Sequence, residues 1–231
     1  MVPTLHPRVK ICCIASIDEA RTAIAYGASA LGFVSAMPSG PGVISEEKIE
    51  EIVATVPPPI ATFLLTSKQD ARSIIIQQKK CRTNTIQLCD RIDTRVYQQL
   101  REALSGIALV QVIHINGKDS IQEATAVAPF VDALLLDSGN QMSIVKELGG
   151  TGRVHDWTIS KVIRGSVEIP IFLAGGLNGD NVARAISEVA PFGIDLCSGV
   201  RTNGALDGTK LARFFAQIGS STPDVPGVGF P

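Results

Sequence analysis

The feature that most constrains this chain is a regular alternation of short apolar runs with amphipathic stretches of helical length. The runs fall at 9–14, 30–34, 60–65, 85–88, 108–113, 133–136, 171–174 and 193–196, and the helical stretches at 17–26, 46–55, 69–79, 94–103, 121–127, 158–164, 181–189 and 206–218. Strand-length apolar segments mark the first set and 3.6-residue periodicity marks the second. Ser16, Ser45 with Lys48 three residues on, and Asp93 stand where helices need N-caps. Eight β-α units within 231 residues fit an α/β fold of one kind, a parallel eight-stranded (β/α)8 TIM barrel, better than an open doubly wound sheet, which uses fewer units. No break in composition divides the chain. Residues 8–218 therefore read as one barrel, with 1–7 and the Gly-, Pro- and Ser-rich 219–231 as flexible ends.

Charge narrows the choice of partner. With 21 Lys and Arg against 22 Asp and Glu, the chain has no general attraction to nucleic acid or an anionic membrane, although a local anion site stays open. Five cysteines without a Cys-x-x-Cys pair, and a start lacking an apolar signal core, read as free thiols in a reducing cytoplasm. No apolar segment approaches the roughly 20 residues that span a bilayer. The expected partner is a small molecule, and the expected state a monomer or homodimer.

In a parallel barrel every strand ends on the same face, and sites are built there. The first strand carries Lys10-Ile11-Cys12 and the sixth runs out as Leu134-Leu135-Leu136-Asp137-Ser138. Strand parity puts Lys10 and Cys12 on one side, where an ammonium favours thiolate and equips Cys12 as a general base. The plainer reading is a small buried side chain, since free cysteine is among the most buried residue types. Asp137 is either a turn former ahead of Gly139 and Asn140 or an acid aimed into a site. Two glycine-bearing turns follow strands seven and eight, Leu173-Ala174-Gly175-Gly176-Leu177-Asn178 and Asp195-Leu196-Cys197-Ser198-Gly199-Val200. Turns at these two positions frequently cradle phosphate, because glycine lets backbone N–H groups approach an anion. Residues 149–157 read as a lid containing His155, which as a lone loop histidine is expected to play no catalytic part. His114 ends the fifth strand with its facing undecided. No zinc-ligand spacing occurs, and neither metal nor cofactor is expected.

Together these residues resemble the phosphoribosylanthranilate isomerase family over roughly 8–218. The resemblance rests on Val9-Lys10-Ile11-Cys12 with Ala20 and Gly27-Ala28, Leu31-Gly32-Phe33-Val34, Ile86-Gln87-Leu88, Leu135-Leu136-Asp137-Ser138, Gly150-Thr151-Gly152 with Asp156-Trp157, Leu173-Ala174-Gly175-Gly176-Leu177, and Gly193-Ile194-Asp195 with Ser198-Gly199-Val200. It implies a cofactor-free Amadori rearrangement of an N-substituted phosphoribosylamine, with Cys12 as general base and Asp137 as general acid. The substrate- and phosphate-binding set it suggests is Gly175, Gly176, Ser198, Gly199, Lys10, Asp195 and Arg201.

Four positions depart from the family pattern. Gly42 stands in the loop after the second strand about where the family carries an arginine for the anthranilate carboxylate. Cys13 replaces a glycine, Cys89 a histidine, and Arg201 a glutamate. Arg201 is a candidate replacement cation or phosphate contact. Three readings follow: an isomerase of phosphoribosylanthranilate or a related N-substituted aminoaldose phosphate, a barrel enzyme on another phosphorylated metabolite, and a non-catalytic phosphosugar-binding protein.

Overall fold

A computed structural model of the chain describes residues 6–139, 148, 152 and 154–220. Most of the two ends expected to be flexible, Asn140, and Gly149, Gly150, Thr151 and Arg153 of the expected lid lie outside the described residues. Strands β1 (Arg8–Ile11), β2 (Ala30–Val34), β3 (Ala61–Thr66), β4 (Thr85–Leu88), β5 (Ala108–His114), β6 (Ala133–Asp137), β7 (Ile171–Leu173) and β8 (Gly193–Leu196) alternate with eight helices. These are α1 (Ile17–Ala25), α2 (Glu46–Val53), α3 (Ala71–Cys81), α4 (Thr94–Ala103), α5 (Asp119–Val127), α6 (Trp157–Ser166), α7 (Val182–Val189) and α8 (Gly208–Ser220). Each strand pairs in parallel with the next and β8 pairs with β1, closing the (β/α)8 barrel.

Side-chain alternation along the strands builds two apolar layers. Ile11, Leu31, Leu64, Ile86, Leu134 and Leu173 point outward against the helices. Ala30, Val34, Phe63, Leu65, Val112 and Leu135 fill the interior. Each fully buried aliphatic side chain stabilises the fold by about 1.5–3 kcal/mol. The helices present one face to this layer, as Val182, Ala185 and Val189 of α7 do at helical spacing. Three expected caps form: Ser16 accepts from Glu19 N, Ser45 from Lys48 N and Asp93 from Arg95 N.

Several boundaries differ from the periodicity. β1 stops at Ile11 rather than 14, because Cys13 takes a left-handed backbone at φ 63 that no strand can contain. Cys12 N nevertheless donates to Leu196 O at 2.7 Å, so the β1–β8 pairing reaches one residue further. Helix α8 begins at Gly208 rather than 206, because Asp207 accepts from Thr209 N and Lys210 N. The residues before it form a small antiparallel hairpin, β9 (Arg201–Thr202) with β10 (Ala205–Leu206), turning through Asn203 and Gly204 at φ 51 and 82. Asn-Gly is the usual signature of such a turn, and it was the readable signal for this hairpin. The loop after β2 folds back: Val43 bridges to Val34, and Ile44 N donates to Val34 O at 2.9 Å.

The barrel floor is aromatic. Phe63 and Phe172 meet edge to face at 5.8 Å between centroids, and Phe172 meets Phe192 at 5.6 Å. Gly193 makes this possible, since a Cβ there would lie 2.5 Å from the Phe172 ring. Gly193→Ala is therefore expected to cost about 1–3 kcal/mol, read as a lower urea midpoint at unchanged m-value.

Candidate active site

The C-terminal strand ends open into a cleft. Of the sequence-predicted residues, Cys12, Asp137, Asp195, Gly175, Gly176 and Ser198 line it. Lys10 and Asp195, 185 positions apart, meet here because β1 and β8 are neighbours, in the register Lys10 to Asp195 and Ile11 to Leu196.

Lys10 and Cys12 share the interior face, as parity requires, and Gly32 on the adjacent β2 gives them room. A Cβ at Gly32 would lie 2.9 Å from Cys12 Sγ and 3.0 Å from Lys10 Nζ. Lys10 does not line the cleft as a substrate contact. It is 0% exposed, donates to Asp195 Oδ1 at 2.8 Å and lies 5.2 Å from the Phe63 ring centroid. Burial is the largest single influence and would lower its pKa, but Asp195, Cys12 and Cys13 together outweigh it and raise the pKa, keeping the ammonium charged beneath Cys12.

A hydrogen bond from the Cys13 thiol lowers the pKa of the Cys12 thiol; burial opposes this and the Lys10 charge assists it. Cys13 moves the other way, its proton held by hydrogen bonds to Cys12 and Cys197. Cys89, the fourth thiol facing the cleft, is pushed up by burial and stays protonated. Across the cleft, Asp137 ends β6, where its Oδ1 accepts from Ser138 N at 2.7 Å. His114 pairs in register with Asp137, and its Nε2 contacts Cys89 O at 2.9 Å, which settles its facing as inward. His155 contacts Ser160 Oγ at 2.7 Å, and burial pushes its pKa down to about 4, so it is neutral at physiological pH.

Gly175 and Gly176 turn with φ 84 and 63, a conformation that only glycine adopts without strain. The turn is pinned where Asn181 Nδ2 donates to Gly176 O at 3.0 Å. Gly199 packs beside it rather than in the cleft: a Cβ there would stand 2.0 Å from Leu177 O. The two glycine turns thus interlock into one wall, with Ser198 facing the cleft.

Arg201, expected as a cation for substrate, is committed elsewhere. Its guanidinium donates to both Glu19 carboxylate oxygens, at 2.8 and 3.1 Å, to Gly204 O at 2.8 Å, and to Cys13 O and Cys12 O at 2.6 and 3.3 Å. Glu19 also accepts from Ala15 N and Leu206 N, both at 3.0 Å. The pair ties the Cys12–Cys13 backbone to the β9–β10 hairpin and holds the loop that carries the thiol.

Sequence reasoning did not assign Gln87 a role. Its side chain enters the cleft from β4, and its buried Oε1 has no hydrogen-bond partner among the described residues. An amide within the otherwise apolar Ile86-Gln87-Leu88 was the available signal. Among the described residues, no group of three or more His, Cys, Asp or Glu could hold a metal, and no helix is long and apolar enough to cross a membrane.

The profile of the N-(5'-phosphoribosyl)anthranilate (PRA) isomerase family matches residues 9–217. The chain belongs to that family. Its relatives include the N-(5'-phosphoribosyl)anthranilate isomerases of Methanocella arvoryzae, 30% identical over 91% of this chain and 96% of theirs, and of Nostoc punctiforme, 34% identical over 92% and 99%. Among solved structures, the phosphoribosylanthranilate isomerase of Thermotoga maritima superimposes with a TM-score of 0.77 at 26% identity, covering 93% of this chain and 99% of its own. That of Thermus thermophilus also reaches 0.77, at 24% identity over 92% and 98%, which bears on the fold alone. The family's members are aldose–ketose isomerases, and the expected fold and reaction class stand.

Removing one partner from the Arg201–Glu19 pair, whose side chains are 8% and 18% exposed, is expected to cost about 3 kcal/mol. Arg201→Met tests this by urea denaturation. Hydrogen bonds from Arg201, Ala15 and Leu206 outweigh burial and hold the Glu19 carboxyl below its ordinary 4.5. Its contribution is therefore complete above pH 4.5 and is lost as pH falls through the lower folded value. Glu19→Gln should show a flatter stability profile than the parent in that acid window.

Proposed function

We propose that this chain isomerises N-(5'-phosphoribosyl)anthranilate to 1-(o-carboxyphenylamino)-1-deoxyribulose 5-phosphate, with Cys12 as general base and Asp137 as general acid. The observation that carries the reading is the convergence on one cleft of a thiol held toward thiolate, a carboxyl group on another strand, and the interlocked glycine wall. Asp137 gives a proton to the ribose ring oxygen as the C1′–O bond breaks, leaving a Schiff base at C1′. Cys12 then takes the C2′ proton, the electron pair moves to form the enolamine, and tautomerisation yields the C2′ ketone. The phosphate sits against Gly175, Gly176 and Ser198, with Gly199 supporting the turn from behind. Asp195 and Lys10 act under Cys12 rather than on substrate, and Arg201 acts through the backbone it clamps.

The relative solved with reduced 1-(o-carboxyphenylamino)-1-deoxyribulose 5-phosphate supports a phosphorylated sugar-amine as ligand. It is 25% identical to this chain, with a TM-score of 0.75. The Thermotoga maritima relative is described as dimeric and also as monomers generated from it, and a monomer or homodimer is the expected state here. Five unpaired thiols suit a cytoplasmic setting.

Conversion of phosphoribosylanthranilate generated in situ, followed by loss of anthranilate fluorescence, tests the reading. Cys12→Ser and Asp137→Asn should each lower kcat by about 10²–10⁴-fold. Turnover unchanged in both variants would overturn the assignment of roles. Absence of turnover in the parent, with inorganic phosphate still binding, would overturn the substrate. Cys13→Gly removes the hydrogen bond that favours Cys12 thiolate. The acid limb of its kcat/KM profile should move to higher pH, since a base with a raised pKa needs a higher pH to ionise.

A further inference from the structure

The reaction needs one thiol, yet the cleft rim holds three in succession. Cys13 Sγ lies 2.7 Å from Cys197 Sγ, and also 3.6 Å from Pro41 O in the loop after β2. β1 and β8 are in register up to Ile11 and Leu196, and Cys12 N donates to Leu196 O, so Cys197 lies one residue and Cys13 two residues past the last pair. The left-handed backbone of Cys13, at φ 63, leaves the strand at that point. A disulfide bond is about 2.05 Å long, so closing this gap requires side-chain adjustment and little movement of strands. Cys197 is the least buried of the five cysteines and lines the cleft, so a small oxidant reaches it by the substrate's route. Cys81 is buried in α3, and Cys89 lies at the end of β4 with its thiol turned to Gln87 O, which leaves Cys13 as the recorded sulfur contact of Cys197.

We propose that Cys13 and Cys197 form an oxidant-responsive dithiol that closes to a reversible disulfide across the rim of the active site when the protein meets hydrogen peroxide. The Cys197 sulfur attacks the peroxide, the O–O bond breaks, and one oxygen stays on sulfur as a sulfenic acid while the other leaves as water. The Cys13 sulfur then displaces the sulfenic hydroxyl, which departs as a second water with the Cys13 proton. Two thiols lose two electrons and two protons, and the peroxide is reduced to two waters. Cys12, whose pKa the neighbouring Cys13 thiol lowers, is the base beside this step. Once the bond closes, Cys13 has no proton left to favour a thiolate beside it, and Cys12 loses that support. Oxidation thus switches off the base without touching it. This consequence for turnover rests on the role proposed for Cys12, whereas the cross-link does not.

The full chain, reduced and then treated with hydrogen peroxide, is alkylated, digested without reductant and analysed by mass spectrometry. The expected product is a peptide pair joined through Cys13 and Cys197, two hydrogens lighter than the separate peptides and released by dithiothreitol. Turnover should fall about tenfold or more and return on reduction. Cys197→Ser and Cys13→Gly should each abolish the linked pair, and glycine suits the φ of 63 at position 13, so that variant folds. A Cys12–Cys13 link, sulfenic acid at Cys12 alone, or no linked peptide at peroxide levels that oxidise Cys197 would each overturn the proposal. A linked pair with unaltered turnover would leave the dithiol standing and overturn the role of Cys12.

Discussion

Closure of the barrel between its first and last strands is the constraint on which the site depends. The two strands are far apart in sequence, so their pairing is about as non-local as a chain of this length allows, and its loop-closure cost is met only when the intervening units are in place. The thiol side of the site lies on that seam. Lys10 meets Asp195, Cys12 N meets Leu196 O, Cys13 meets Cys197, and Arg201 reaches the carbonyls of Cys12 and Cys13. A chain that slipped register by one residue here would turn Lys10, Cys12 and Asp195 outward into the helix layer, away from the cleft.

The Lys10–Asp195 pair is an expensive way to hold a seam. Taking two charges out of water costs several kcal/mol per ion, and an apolar pair of similar volume is often as stable or more so. What the ion pair supplies is a fixed positive charge below Cys12, in surroundings too dry to screen it, where Gly32 lets ammonium and sulfur approach. Arg201 and Glu19 do comparable work one layer up, on backbone rather than on the thiol. A mostly apolar barrel therefore holds two matched ion pairs around the Cys12 sulfur. Stability is spent on orientation there.

The fold was legible because it is a repeated pattern. Four strand ranges, 30–34, 85–88, 193–196 and all but the last residue of 133–137, follow from apolar runs that the barrel buries on both faces. The placement of Cys12 and Asp137 at strand ends on one face was legible for the same reason. Partnership was not. Nothing in the local sequence shows that Lys10 and Arg201 are already committed to Asp195 and Glu19, because those contacts depend on which strands become neighbours at closure. Gln87 was hidden by its small signal, a single amide in a strand. The left-handed backbone at Cys13 was hidden because cysteine gives no hint of it.

That backbone also explains why two departures from the family pattern occur together. Cys13 stands where the resemblance leads one to expect glycine, and its φ of 63 is a glycine conformation held by another residue. Gly42 stands where an arginine is expected, itself at φ 80, with Cys13 Cβ 2.5 Å from the point where its own Cβ would be. While the loop after β2 keeps this path, a Cβ at 42 would collide with the Cys13 side chain, and a φ of 80 strains any side chain there, so an arginine at 42 requires the loop to move. The space goes instead to a thiol that contacts Pro41 O and Cys197, and the wall beside it is formed by Val34, Met37 and Leu65. The glycine at 42 and the thiol at 13 are sterically matched.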